Sequence, residues 1–210
     1  RTYAGMLAAM DEAIGKIADA IERKGIAKDT LVIFSSDNGG PNPGKVTSNG
    51  PLRAGKATLY EGGVRVAAFA TWPGHIKPDS AVKAPLHIVD LYPTLLKLAR
   101  AKLDQPLPVD GRDAWAAIAE GKPSPHEEIL INAAPAGGAI RVGDWKLVIG
   151  GFPNGDGQRL NAPAKTELYH LSEDLAERHD LAKSHPDKVK ELLARYDALA
   201  RQAVPPKLAP

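Results

Sequence analysis

The sequence predicts an α/β fold that ends in a small antiparallel sheet with one packed helix. Three observations lead there. A helical apolar period runs directly into an apolar stretch suited to a buried strand. A second strand-length run closes at Pro73-Gly74, and four short strand-like runs then precede a last amphipathic helix.

In order along the chain, Tyr3, Met6, Leu7, Met10, Ile14, Ile17 and Ile21 recur at spacings of three and four, placing one apolar stripe on a helix. Gly25 supplies the stop. Thr30–Ser36 is a continuous apolar run dominated by β-branched and aromatic residues, as in a strand covered on both faces. Residues 39–57 are rich in Gly, Pro, Asn and Ser and read as a long loop, a type of segment that usually carries function. Val64–Trp72 is the second strand. Asp90 is the expected N-cap of a short helix with Pro93 in its first turn. A brief helix is expected at Ala114–Glu120. Ile129–Asn132, Ala139–Val142, Trp145–Ile149 and Glu167–Tyr169 read as short strands, and Asp187–Gln202 as the closing helix. The character of the chain changes between 105 and 125, which divides it into residues 1–112 and 113–210.

Composition narrows the function classes. The 210 residues hold 27 basic and 25 acidic side chains, a net charge of +2, which offers no general basic face for nucleic acid or a membrane surface. No apolar run approaches the ~20 residues that span a bilayer. The chain has no cysteine, so disulfides, thiolate metal sites and a cysteine nucleophile within these residues are excluded. Arg1-Thr2-Tyr3 enters a helical pattern at once, which reads as an internal starting point.

The chemistry centres on Asp37-Asn38-Gly39-Gly40, where an apolar run ends in an acid, an amide and two glycines. A carboxylate and an amide carbonyl are hard oxygen donors, preferred by Ca²⁺ or Mg²⁺ over softer metals. Taken alone, Asp-Asn-Gly after a strand is more often a turn than a metal site. Lys56 stands at the end of a glycine-bearing loop. There its ammonium can reach an anionic ester oxygen, or simply lie in solvent as most loop lysines do. Glu61 and Arg65 read as a structural pair or backbone clamps, and Gly62-Gly63 as a place of positive φ or close backbone approach. The histidines at 75, 87, 126, 170, 179 and 185 show no metal-ligand spacing and read as structural or exposed.

Together these segments resemble the sulfatase family of the alkaline-phosphatase superfamily, and within it the arylsulfatase B-like branch. The resemblance rests on the Met10-Asp11 helix with Gly15, Thr30–Gly40, Pro51–Arg65, Trp72-Pro73-Gly74 and Asp90–Leu96. It continues through Ala139–Leu147, Glu167–Leu171 and Asp180-Leu181-Ala182, all in the family's order. It implies that residues 1–112 are the C-terminal part of a mixed-sheet catalytic domain flanked by helices, with 113–210 a small α+β subdomain. It also implies that Asp37 and Asn38 ligate a divalent cation, Ca²⁺ in preference to Mg²⁺. Lys56 is then a catalytic and substrate-binding residue that contacts the sulfate group.

In that family the nucleophile is a formylglycine made within a Cys/Ser-x-Pro/Ala-x-Arg motif, and no such motif occurs here. The nucleophile, further metal ligands and the general acid are accordingly expected upstream, so these residues alone are expected to be inactive. The expected partners are a small-molecule or carbohydrate sulfate ester, the N-terminal half of the same protein, and further copies of the chain by self-association. The family also favours a periplasmic or secreted location. A phosphatase or phosphonate monoester hydrolase of the same superfamily, and a noncatalytic sulfatase-like fragment, are the alternatives.

Overall fold

The computed structural model describes residues 2–41, 44–134, 137–150 and 165–202. Residues 42–49 and 101–165, which the sequence suggests line or flank a pocket mouth, lie partly outside the described residues. The chain gathers into two compact units: residues 1–35 with 67–126, and residues 36–66 with 127–210.

In the first unit, α1 spans Thr2–Arg23. It ends as the glycine predicts: Gly25 adopts φ +67°, its N–H donates to Glu22 O, and Ile26 N–H donates to Ile21 O. That bond pair is a Schellman cap, which satisfies carbonyls the helix leaves open. A 3₁₀ turn, Ala27–Asp29, leads into β1, Val32–Ser35, which pairs antiparallel with β2, Ala68–Thr71. Phe34 and Phe69 stack across the pair with centroids 4.9 Å apart.

The burial expected of the first strand is not found. Every residue of β1 is only half-buried, α1 has no buried residue, and Met6 and Phe69 are 66% and 54% exposed. A two-stranded ribbon offers too little surface to cover either face. These open apolar faces and strand edges predict association. The 210-residue chain should show a mass above that of a monomer in light scattering, rising with concentration. A monodisperse monomer across a hundredfold dilution series would contradict this.

The second expected strand is also shorter than Val64–Trp72, because Glu61–Val64 forms the single helical turn α2. Trp72-Pro73-Gly74 turns the chain, with His75 and Ile76 N–H groups both donating to Trp72 O and His75 exposed. Asp90 is not the side-chain cap of α3, Leu91–Leu98. Instead it closes a capping box on the preceding 3₁₀ turn, Ile88–Asp90, accepting from His87 N–H while His87 Nδ1 accepts from Val89 N–H. Its other oxygen accepts from Arg112 N–H at 2.9 Å and meets His126 Nε2 at 2.6 Å. One buried carboxylate thus ties three chain segments together, a demand its neighbours in sequence do not announce. Thr94 Oγ1 accepts from Ala114 N–H just before α4, Trp115–Glu120, which Gly121 ends at φ +67°.

In the second unit, β3 (Glu128–Ala134), β4 (Gly137–Val142), β5 (Trp145–Ile149) and β6 (Thr166–His170) form an antiparallel meander in that order. Alternation then sorts the side chains. Ile140, Leu147 and Leu168 face Leu192 and Tyr196 of α5, Pro186–Ala200. Ala139, Val148 and Tyr169 point the other way and pack with Leu171 and Tyr60, with Ala54 and Leu59 alongside. Burying each such large apolar side chain contributes roughly 1.5–3 kcal/mol. Both faces of this sheet are therefore covered, and the second cover is the loop that follows Asp37.

Candidate functional site

The turn after β1 is built from short-range polar contacts. Ser36 Oγ donates to Asn38 O at 2.9 Å, and Asn38 Nδ2 donates to Asp37 Oδ1 at 2.6 Å. Asp37 is exposed and Asn38 half-buried. Gly39 is buried, and its N–H donates to Gly63 O at 2.9 Å. A Cβ on Gly39 would stand 1.6 Å from Gly62 O, so only glycine allows this approach.

The Lys56 loop is fastened to the same turn. Lys56 N–H donates to Gly40 O at 3.2 Å. Asn49 bridges the two segments: its Oδ1 accepts from Gly40 N–H at 2.9 Å and its Nδ2 donates to Ala54 O at 2.7 Å. Ala54 and Ala57, on either side of Lys56, hold φ of 58° and 68°, in the left-handed region that alanine rarely adopts. Strain of this kind, of order 1 kcal/mol each, persists where the surroundings over-determine the backbone. Here Asn49, Gly62 N–H on Arg53 O, and Thr58 Oγ1 on Gly55 O do so. The Lys56 side chain itself is exposed.

Beneath the loop lies a buried polar network. Tyr60 Oη donates to Glu167 Oε2 at 2.5 Å, Tyr169 Oη donates to Glu167 Oε1 at 3.0 Å, and Arg53 Nη1 donates to Tyr169 Oη at 2.6 Å. The Arg53 guanidinium also lies 3.8 Å over the Tyr60 ring. Burial pushes both tyrosines above their ordinary range, and bonding or proximity to Glu167 adds to this. Burial would also raise Glu167, but bonds from Tyr60, Lys165 and Tyr169 and the charge of Arg53 hold it below the ordinary 4.5. A carboxylate depressed in the folded state stabilises the fold above its unfolded pKa, and that contribution is lost as pH falls through the folded value. The thermal stability of the chain should therefore exceed that of Glu167→Gln at pH 7, with the gap closing below pH ~4. A gap that stays constant from pH 7 to pH 3 would contradict this network.

The three residues singled out from the sequence thus fall on two segments that are bonded to one another. Asn49, the strained alanines and the Tyr60–Glu167 network were not singled out. Asn49 reads as an ordinary turn residue between Ser48 and Gly50, and partners more than 100 residues apart leave no local pattern. Asp37 and Asn38 supply hard oxygens of the kind Ca²⁺ takes, so the donor chemistry fits that ion. Among the described residues no group of three or more His, Cys, Asp or Glu side chains could hold a metal. The two residues would therefore contribute part of a coordination sphere of six to eight oxygens.

The family model described as Sulfatase matches residues 1–101, a span that includes Asp37, Asn38 and Lys56. Over 248 aligned residues the chain is 35% identical to arylsulfatase J of Mus musculus, using 100% of this chain and 41% of that protein. The chain belongs to the sulfatase family. This sulfatase chain is also 31% identical to N-acetylgalactosamine-6-sulfatase of Mus musculus, covering 95% of itself and 42% of that relative. The crystal structure of Ps i-CgsB, at 30% identity, superposes with a TM-score of 0.78, and its complex with k-i-k-neocarrahexaose with 0.80. Each comparison covers 95% of this chain and 42% of that one. The chain therefore spans about two fifths of the length of the curated relatives it matches. The mixed α/β architecture with antiparallel sheets is thus shared with the matched part of Ps i-CgsB. No helix among the described residues is long and apolar enough to cross a membrane.

Proposed function

We propose that this chain forms one part of the site of a Ca²⁺-dependent sulfatase that hydrolyses sulfate esters of aryl or carbohydrate alcohols. One observation carries the reading: the Asp37-Asn38 turn and the Lys56 loop are bonded together through Gly40 and Asn49. An exposed carboxylate, a half-buried amide and an exposed lysine are thereby held on one small frame. Asp37 and Asn38 would hold the cation, which when bound supplies positive charge against the sulfate oxygens. Lys56 would donate to the ester or a sulfate oxygen, stabilising charge as the S–O bond breaks. The structure of Ps i-CgsB with an oligosaccharide, and the name of the N-acetylgalactosamine-6-sulfatase, favour carbohydrate esters as the first substrates to try.

The nucleophile is assigned to a formylglycine outside these 210 residues, which contain neither cysteine nor the motif that yields one. These residues alone are accordingly proposed to be inactive. The test is a panel of matched sulfate, phosphate and phosphonate esters offered to the complete protein, with calcium and with chelator. Faster turnover of sulfate esters, lost on chelation, is expected. Preference for phosphate or phosphonate esters would overturn the reaction class, and activity indifferent to chelator would overturn the cation.

A further inference from the structure

We propose that Lys146, Glu61 and Glu177 act as a positioning device for the Asp37-Asn38 turn, gripping α2 so that it holds the proposed cation ligands in place. The inference rests on the reading of Asp37 and Asn38 given above.

Lys146 is fully buried on β5, with its Nζ 2.8 Å from Glu61 Oε1 and 2.9 Å from Glu177 Oε1. The contact to Glu61 is a hydrogen bond. The one to Glu177 is an ion pair outside hydrogen-bonding geometry. The other Glu177 oxygen accepts from the backbone N–H of Glu61 at 2.6 Å. Glu177 therefore holds the first residue of α2 by its main chain while Lys146 holds it by its side chain. Arg65, half-exposed, adds a longer contact to Glu61 at 3.7 Å.

From there the geometry passes along one turn of backbone. Gly63 O accepts from Gly39 N–H, and Gly62 N–H donates to Arg53 O on the approach to Lys56. A Cβ on Gly62 would stand 2.2 Å from Arg53 O, and one on Gly39 would stand 1.6 Å from Gly62 O. Backbones this close leave no slack, so a displacement of α2 moves the turn after Asp37 and the loop before Lys56 together. Glu177 itself takes φ +51°, a strained setting that is held by its N–H on Asp174 O and by Asp174 Oδ2 accepting from Arg178 and His179 N–H groups. Three buried charges are a costly way to fill space, and an apolar trio of similar volume would serve a purely packing role as well or better. What an apolar trio cannot do is accept from the Glu61 N–H.

The test compares the chain with Glu177→Ala, which removes charge and acceptor, and Glu177→Gln, which keeps an acceptor. Amide hydrogen exchange is read by NMR at Gly39 and Gly62, with Ile140 and Leu147 in the central strands as references. Glu177→Ala should speed exchange at Gly39 and Gly62 about 10-fold with the references unchanged, and Glu177→Gln about threefold. Should Glu177→Ala fail to fold, Glu177→Gln carries the comparison alone. Unchanged exchange at Gly39 in a folded variant, or acceleration that the reference amides share, would overturn the proposal. A terbium luminescence titration of the complete protein and of its Asp37→Ala variant decides the ligand reading separately. Equal affinities there would overturn the assignment of Asp37, whatever the exchange rates show.

Discussion

Replacing Lys56 by alanine in the complete protein is expected to lower kcat/KM for a sulfate ester by about 10²–10³-fold, the usual cost of losing one preorganised donor to developing negative charge. The fold should be unaffected, since the side chain is exposed and the bond to Gly40 O comes from the main chain, which alanine keeps. The loss should fall mainly on kcat if the ammonium meets charge that grows in the transition state, and on KM if it meets only the sulfate already present. Lys56→Arg should recover part of the activity, because the guanidinium is longer and planar rather than absent. Steady-state kinetics on the three proteins, at matched thermal stability, check this. Wild-type kcat/KM in Lys56→Ala would remove Lys56 from the site.

The second large effect is on stability. Lys146→Met should destabilise the fold by about 3–5 kcal/mol, because it leaves Glu61 and Glu177 buried without the cation between them. The length of the side chain is nearly kept, so a cavity contributes little and the missing charge dominates. The penalty should shrink on acidification. A carboxylate robbed of its cation has its folded pKa raised, so the variant gains stability relative to wild type below that value and loses it as pH rises. Urea unfolding at pH 5 and pH 7.5 measures both the size and the trend. A difference under 1 kcal/mol at pH 7.5 would mean that the carboxylates reach water or share a proton, contrary to their burial.

Local pattern made most of the elements legible. The stripe from Tyr3 to Ile21 became α1, Gly25 capped it, and the four short runs after residue 128 became β3–β6 within one or two residues at each end. Where local pattern failed, tertiary contact had decided. Glu61-Gly62-Gly63 has two poor helix formers, and its helical turn is held by Glu177 and Lys146, 116 and 85 residues away. Asp90 looked like a cap for the helix after it, yet its carboxylate serves segments 22 and 36 residues downstream. The apolar period of α1 marked the helix itself, but its stripe has no buried residue, and a helix's own spacing does not say whether its apolar face is covered.

The site divides the same way. Asp37, Asn38 and Lys56 stood out because an abrupt change from apolar strand to oxygen donors and glycines is visible in a few consecutive residues. Asn49 did not, because an asparagine between Ser48 and Gly50 has an adequate local explanation as a turn. Its bridging role depends on Gly40 and Ala54 lying on either side of it, and only the folded backbone places them there.

Diffraction from crystals of the complete protein grown with terbium or calcium tests the central claim most directly. The claim predicts an anomalous peak about 2.3–2.6 Å from a carboxylate oxygen of Asp37 and the amide oxygen of Asn38. A cation bound elsewhere, with neither side chain in its coordination sphere, would contradict it.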